Sequence, residues 1–193
     1  MICFDPCASR GSLIRFVRAA RPDLTKWLAM EINPNCAGDL ATVTGLPPEA
    51  VHGDFLALAK PKTPDKNIFT LSNPPYSLAK EFIEQALSFT ERVAYLLRIN
   101  FLADGRNARA GFAEKHKPGV FVLPNRPSFN GWGSDGTEYA WFVFGDPAVA
   151  GRWYELGQTS DREIEAWNSA MRKIYPKPVK KAKGVIMHSF DAQ

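Results

Sequence analysis

The sequence predicts an α/β fold: a mostly parallel sheet with helices packed on both faces. Three observations lead there. Short apolar runs alternate along the chain with segments whose apolar residues recur at helical spacing, the rhythm of a parallel sheet covered on both sides. The last two runs have no helical segment between them, only the Pro- and Gly-rich stretch PNRPSFNGWGSDGT (124–137), so the final strand is expected to enter antiparallel. The length, 193 residues, suits one domain with a sizeable core.

The elements follow in order. ICFDP (2–6) reads as a buried strand ending at Pro6, and after Gly11 the residues Leu13, Ile14, Phe16, Val17 and Ala20 fall on one helical face. WLAMEI (27–32) is a second strand, with a helix through Ala41 behind it, and AVHGDF (50–55) a short third. NIFTLS (67–72) is the fourth, followed by a helix marked by Leu78, Phe82, Ile83, Ala86 and Leu87. RVAYLLRI (92–99) is the fifth, residues 101–116 are expected to be helical, and GVFVL (119–123) and EYAWFVF (138–144) complete seven strands. Ser160 and Glu163 form a capping-box pattern, announcing a last helix with Ile164, Trp167 and Met171 on one face. The expected division is one domain over 1–175 and a basic, loose tail over 176–193.

Composition narrows the function classes. Hydrophobic residues make up 45% and charged residues 23%, ordinary globular values, and no apolar run approaches the roughly 20 residues of a membrane span. No signal-peptide pattern opens the chain, and three cysteines (Cys3, Cys7, Cys36) with three scattered histidines lack metal-ligand spacing. Reduced thiols in a cytoplasmic protein, with no membrane and no metal as partners, are the expectation. The net charge of +4 is concentrated. Lys60, Lys62 and Lys66 sit in one loop, and Lys177, Lys180 and Lys181 lie in the tail, as phosphate contacts or as plainly solvated charge.

The chemistry-bearing residues fall at strand ends, where open α/β sheets bind ligands. Asp5 closes the first strand, and Gly11 opens a helix whose N–H groups point into the crevice. Glu31 ends the second strand, twenty residues after Gly11, where a carboxylate accepts hydrogen bonds from ribose hydroxyls. Asp54 and Phe55 end the third; an acid beside an aromatic suits an adenine ring, although such a Phe is more often core. Three acids in one register predict a nucleoside-type cofactor. A single glycine in the first turn argues against a dinucleotide.

The fourth strand ends in Asn73-Pro74-Pro75-Tyr76. Two prolines exclude strand or helix there and stiffen the turn. The Asn73 side-chain carbonyl and the Pro74 backbone carbonyl form an acceptor pair for the two N–H groups of a ring-conjugated amine. Held so, the nitrogen becomes more tetrahedral and its lone pair is aimed, while Tyr76 stacks on the ring. The order DP…G, acid, GDF, NPPY resembles the S-adenosylmethionine-dependent DNA adenine-N6 methyltransferases, in particular their short phage-type members. RINFL (98–102), LPNRPSF (123–129) and DGTEYAWFVF (135–144) extend the likeness over roughly residues 2–145.

The resemblance implies a Rossmann-like class I methyltransferase fold: a seven-stranded sheet with an antiparallel last strand, in three αβα layers. It implies S-adenosyl-L-methionine as cofactor, with Asp5, Pro6, Cys7, Ala8 and Gly11 on its methionine side. Glu31 would take the ribose, Ile32 would pack on the adenine, Asp54 and Phe55 would bind it, and Asn73 would border the donor. Asn73, Pro74, Pro75 and Tyr76 would form the catalytic motif, and Phe129 either touches a flipped base or belongs to the core. DNA is the implied partner, in a bacterial or phage-infected cytosol, with low sequence specificity because little chain remains for target recognition. Alternatives are an RNA-base or protein-glutamine N-methyltransferase, or a weakly catalytic methyltransferase fold used for binding. The chain departs from the family at Ser9, where glycine is usual, and with strand one read from Ile2 the segment that in the family packs on the methionine moiety is expected to be missing. The alternatives are a weakly held cofactor, a site completed by another part of the chain or by a partner chain, a homodimer included, or a truncated product.

Overall fold

The computed structural model describes residues 1–103, 111–134 and 136–177. Seven strands form one sheet: β1 (Ile2–Asp5), β2 (Trp27–Ala29), β3 (Asp65–Ser72), β4 (Thr90–Arg98), β5 (Gly119–Val122), β6 (Tyr139–Phe144) and β7 (Trp153–Glu155). Their order across the sheet is β2-β1-β3-β4-β6-β5-β7. β1 to β4 pair in parallel, while β6 runs antiparallel between β4 and β5. The helices are α1 (Ser12–Ala20), α2 (Ala37–Thr44), α3 (Pro48–Val51), α4 (Ala79–Phe89), α5 (Phe112–His116) and α6 (Asp161–Ile174).

Strand alternation splits the core into two halves, one on each face of the sheet. Cys3, Trp27 and Ala29 face Ile14 of α1 with Leu40 and Val43 of α2. Phe4, Val93, Tyr95, Leu97, Phe142 and Phe144 face Phe82, Ile83 and Ala86 of α4 and Phe112 of α5. The predicted three layers are therefore present. α6 begins at the predicted capping box, Ser160 Oγ accepting from the Glu163 N–H while Glu163 Oε2 accepts from the Ser160 N–H. It lies beside α1, with Trp167 packed on Phe16 at a ring distance of 3.8 Å.

Seven strands were expected, but their membership differs. Residues 50–55 are not a strand. Pro47 and Pro48 start α3, which takes Ala50 and Val51, Phe55 opens a 3-10 turn, and only a single parallel bridge between Glu31 and His52 survives. The seventh strand is β7, a short exposed edge at Trp153–Glu155 paired with β5, too brief to register as an apolar run. The helix expected over 101–116 is a 3-10 turn at Ile99–Leu102 and α5, with 104–110 outside the described residues. Among the described residues no helix is long and apolar enough to cross a membrane, and no group of three His, Cys, Asp or Glu side chains could hold a metal ion. The three cysteines are free thiols.

Candidate active site

The parallel strands bring their carboxyl ends to one edge. β1 ends at Asp5, beside Ala29 of β2, and β3 ends at Ser72. From Asp5 the chain turns through buried Pro6 and Ala8 and half-buried Cys7 into α1. Gly11, the residue before that helix, has φ +77°, a left-handed backbone that glycine adopts at no steric cost. Ser9 is also left-handed, at φ 48°, although it carries a side chain. Its N–H is held by Glu31 Oε2 at 2.7 Å, so the turn keeps a glycine-like path without the glycine.

Glu31 is 3% exposed and spans this crevice, with Oε1 accepting the Asn33 N–H at 3.0 Å. Ile32, 50% exposed, stands at its rim. Asp5 is 1% exposed, and its Oδ1 accepts from Ser72 Oγ at 2.6 Å and from the Cys7 N–H at 3.2 Å. Burial lifts the Asp5 pKa to about 7, the hydrogen bonds from Ser72 and Cys7 oppose that rise, and the charge of Glu31 adds to it. Burial likewise pushes the Cys7 thiol up, keeping it protonated. Two buried carboxylates in one crevice favour a cationic ligand such as a sulfonium and disfavour a pyrophosphate. The residues present therefore fit the expected methyl donor.

The edge contributed by residues 53–58 corrects one expectation. Asp54 is exposed, and its Oδ1 caps a 3-10 turn by accepting the Leu56 N–H at 2.9 Å. Phe55, however, is 2% exposed and packs among Phe4, Phe82 and Phe89, so its ring is core and has no face left for an adenine. The amphipathic α4 demands that partner, and Gln85 fastens the turn by donating to the Phe55 and Leu58 carbonyls.

At the end of β3, Pro74 and Pro75 are buried, while Asn73 and Tyr76 are half-buried. The Tyr76 hydroxyl donates to Asn73 Oδ1 at 2.9 Å. The Arg98 guanidinium, at the end of β4, lies over the Tyr76 ring at 5.1 Å. Phe129 does not meet Tyr76 directly: Tyr139 stands between them, 5.6 Å from Tyr76 and 5.3 Å edge-on from Phe129. Beside the motif opens a pocket of about 300 Å³ lined by Tyr76, Ser77, Leu97, Arg98, Asn100 and Phe101.

The lysines divide. Lys66 is the second residue of β3, and Lys60 and Lys62 precede that strand, at the opposite end of the sheet from Asn73. Asn73 lies seven positions beyond Lys66, roughly 20 Å along the strand, so this loop is at the far end of β3 from the motif. Lys177 is on the motif's side of the sheet, its ammonium over the Trp132 ring at 5.5 Å, while Lys180 and Lys181 lie outside the described residues. Sequence reasoning missed Arg98, Ser72 and Tyr139. A charge closing the apolar run RVAYLLR at the same sheet edge was the signal that could have found Arg98.

No family model and no curated protein matches the sequence. Solved structures match the fold. A methyltransferase subunit of a type I restriction-modification system from Streptococcus thermophilus superposes with a TM-score of 0.57 at 16% identity, over 90% of this chain and 48% of that one. A putative class I S-adenosylmethionine-dependent methyltransferase from Listeria monocytogenes gives 0.57 at 16% identity, over 86% of this chain and 64% of that one. A 23S rRNA methyltransferase gives 0.52 at 16% identity, over 89% and 69%. The chain thus spans about half the length of the streptococcal subunit. The fold is that of the class I, Rossmann-like methyltransferases, as predicted.

Proposed function

We propose that this protein is an S-adenosylmethionine-dependent N-methyltransferase that acts on the exocyclic N6 amine of adenine in DNA, with low sequence specificity. The observation that carries the reading is the placement of the Asn73-Pro74-Pro75-Tyr76 motif at the same sheet edge as the Asp5–Glu31 crevice, the two joined by the Ser72–Asp5 hydrogen bond. When bound, S-adenosylmethionine supplies a methyl group on a sulfonium sulfur. The turn from Pro6 to Gly11 holds its methionine end, Glu31 its ribose and Ile32 one face of its adenine. Asn73 Oδ1 and the Pro74 carbonyl accept the two N–H groups of the target amine and turn its lone pair toward the methyl. The prolines fix those acceptors, so little reorganisation is needed at reaction. Tyr76 and Arg98 exchange their mutual contact for the incoming base, which leaves its stack to enter the pocket.

An RNA base is the second reading, because single-stranded RNA offers the same amine and π-face to Tyr76. Transfer of labelled methyl to separate DNA and RNA pools, followed by nucleoside digestion, decides between them. N6-methyladenine in DNA is expected. Label confined to RNA would move the substrate, and no label in either pool would remove the activity.

A further inference from the structure

The C-terminal helix reaches both sides of the proposed site. At its end the Tyr175 hydroxyl lies 3.0 Å from Ser12 Oγ, at the start of α1, and 3.4 Å from Ser9 Oγ, within the turn assigned to the methyl donor. From the same helix, Trp167 Nε1 donates to the Ser128 carbonyl and Arg172 Nε to the Gly131 carbonyl, each at 2.8 Å. Trp132 Nε1 donates in turn to the Tyr175 carbonyl at 3.2 Å. α6 thus fastens the segment that carries Phe129 to the turn that carries Ser9.

Ser9 is where that fastening matters most. It is one of two non-glycine residues with positive φ among the described residues, and a side chain resists this conformation. Its N–H rests on Glu31 Oε2, and its hydroxyl meets both the Tyr175 hydroxyl and the Cys36 thiol. The N–H contact also positions the Glu31 carboxylate. We propose that Tyr175 is a positioning residue of the donor site: its hydroxyl keeps Ser9 left-handed, and through the Ser9 N–H it sets Glu31 for the ribose of the donor. The proposal rests on the donor reading given above and adds to it a residue 144 positions along the chain from Glu31.

Calorimetric titration with S-adenosylhomocysteine tests it on wild type, Tyr175→Phe, Ser9→Gly and the double variant, with thermal melts alongside. Loss of the hydroxyl removes one or two neutral hydrogen bonds, so Tyr175→Phe is expected to weaken binding roughly three- to tenfold. Glycine at position 9 adopts the left-handed turn unaided. In the Ser9→Gly background the Tyr175→Phe change is therefore expected to cost less than about twofold. Tyr175→Phe binding as tightly as wild type overturns the proposal, and so does a loss that persists undiminished in the Ser9→Gly background. The second result would mean that the hydroxyl acts through Ser12 and not through Ser9. Absence of binding by wild type would instead overturn the donor reading itself, and this proposal with it.

Discussion

The Tyr76 hydroxyl occupies Asn73 Oδ1 at 2.9 Å, so the two side chains assigned to the target amine and its ring satisfy each other at rest. Base entry must break this bond, and the amine then replaces the hydroxyl. Tyr76→Phe removes the competitor and keeps the stacking face. Its acceptor KM is expected to fall about three- to fivefold with kcat little changed, from one neutral hydrogen bond of about 1 kcal/mol. Tyr76→Ala removes the competitor too but loses the stack, worth about 1–3 kcal/mol, so its KM is expected at least about fivefold above that of Tyr76→Phe. Steady-state rates on a short adenine-containing oligonucleotide separate the two. A Tyr76→Phe KM equal to or above that of wild type would contradict the exchange.

Asp5 sets a pH dependence. Its folded pKa of about 7 lies above the ordinary 3.8 because it is buried. The folded state therefore holds this proton more tightly than the unfolded chain does. The stability so gained is fully present below about pH 4 and is lost as pH rises through about 7. Asp5→Asn should flatten that decline in urea melts between pH 4 and 8. A cationic donor favours the ionised carboxylate, so its binding near pH 6 should release protons, and at pH 8.5 it should not. Titrations in buffers of different ionisation enthalpy measure this.

Charge at the two ends of the sheet should behave differently. Arg98 and Lys177 lie on the motif's side, Lys60, Lys62 and Lys66 at the other. Arg98→Ala or Lys177→Ala is expected to weaken DNA binding and to lower the salt slope by about one each. Changing the three loop lysines to Gln should leave both unchanged. A slope that falls only with the loop lysines would place the nucleic acid elsewhere.

The turn glycine can be tested by stability alone. A Cβ on Gly11 would sit 3.1 Å from Val43 Cγ2, and φ +77° disfavours it independently. Gly11→Ala should cost about 1–2 kcal/mol, a melting shift of roughly 2–8 °C. Gly145→Ala should cost more, because its Cβ would fall 1.9 Å from the Glu91 carbonyl oxygen.

Local pattern revealed the strands that are long and apolar. β4 is buried on both faces from Val93 to Leu97, and the second half of β3 is buried or half-buried, so their apolar runs read directly from the sequence. It misread residues 50–55, where the Pro47-Pro48 start of α3 outweighs the apolar residues that follow, and it passed over β7, three residues of exposed edge. At the site, Asp5, Glu31 and Asn73 were visible because strand ends in a parallel sheet converge by topology. Phe55 was misjudged because only tertiary contact shows which face of the chain α4 claims. The link from Tyr175 to Ser9 spans 166 residues, and no periodicity encodes a contact at that range.

Methyl transfer by Asn73→Ala, measured with donor affinity, tests the central claim most directly. The substitution removes one acceptor of the amine and leaves the Asp5–Glu31 crevice intact. A fall in transfer to DNA of roughly 100-fold or more is predicted, with S-adenosylhomocysteine affinity within about threefold of wild type. Transfer at the wild-type rate would contradict the account.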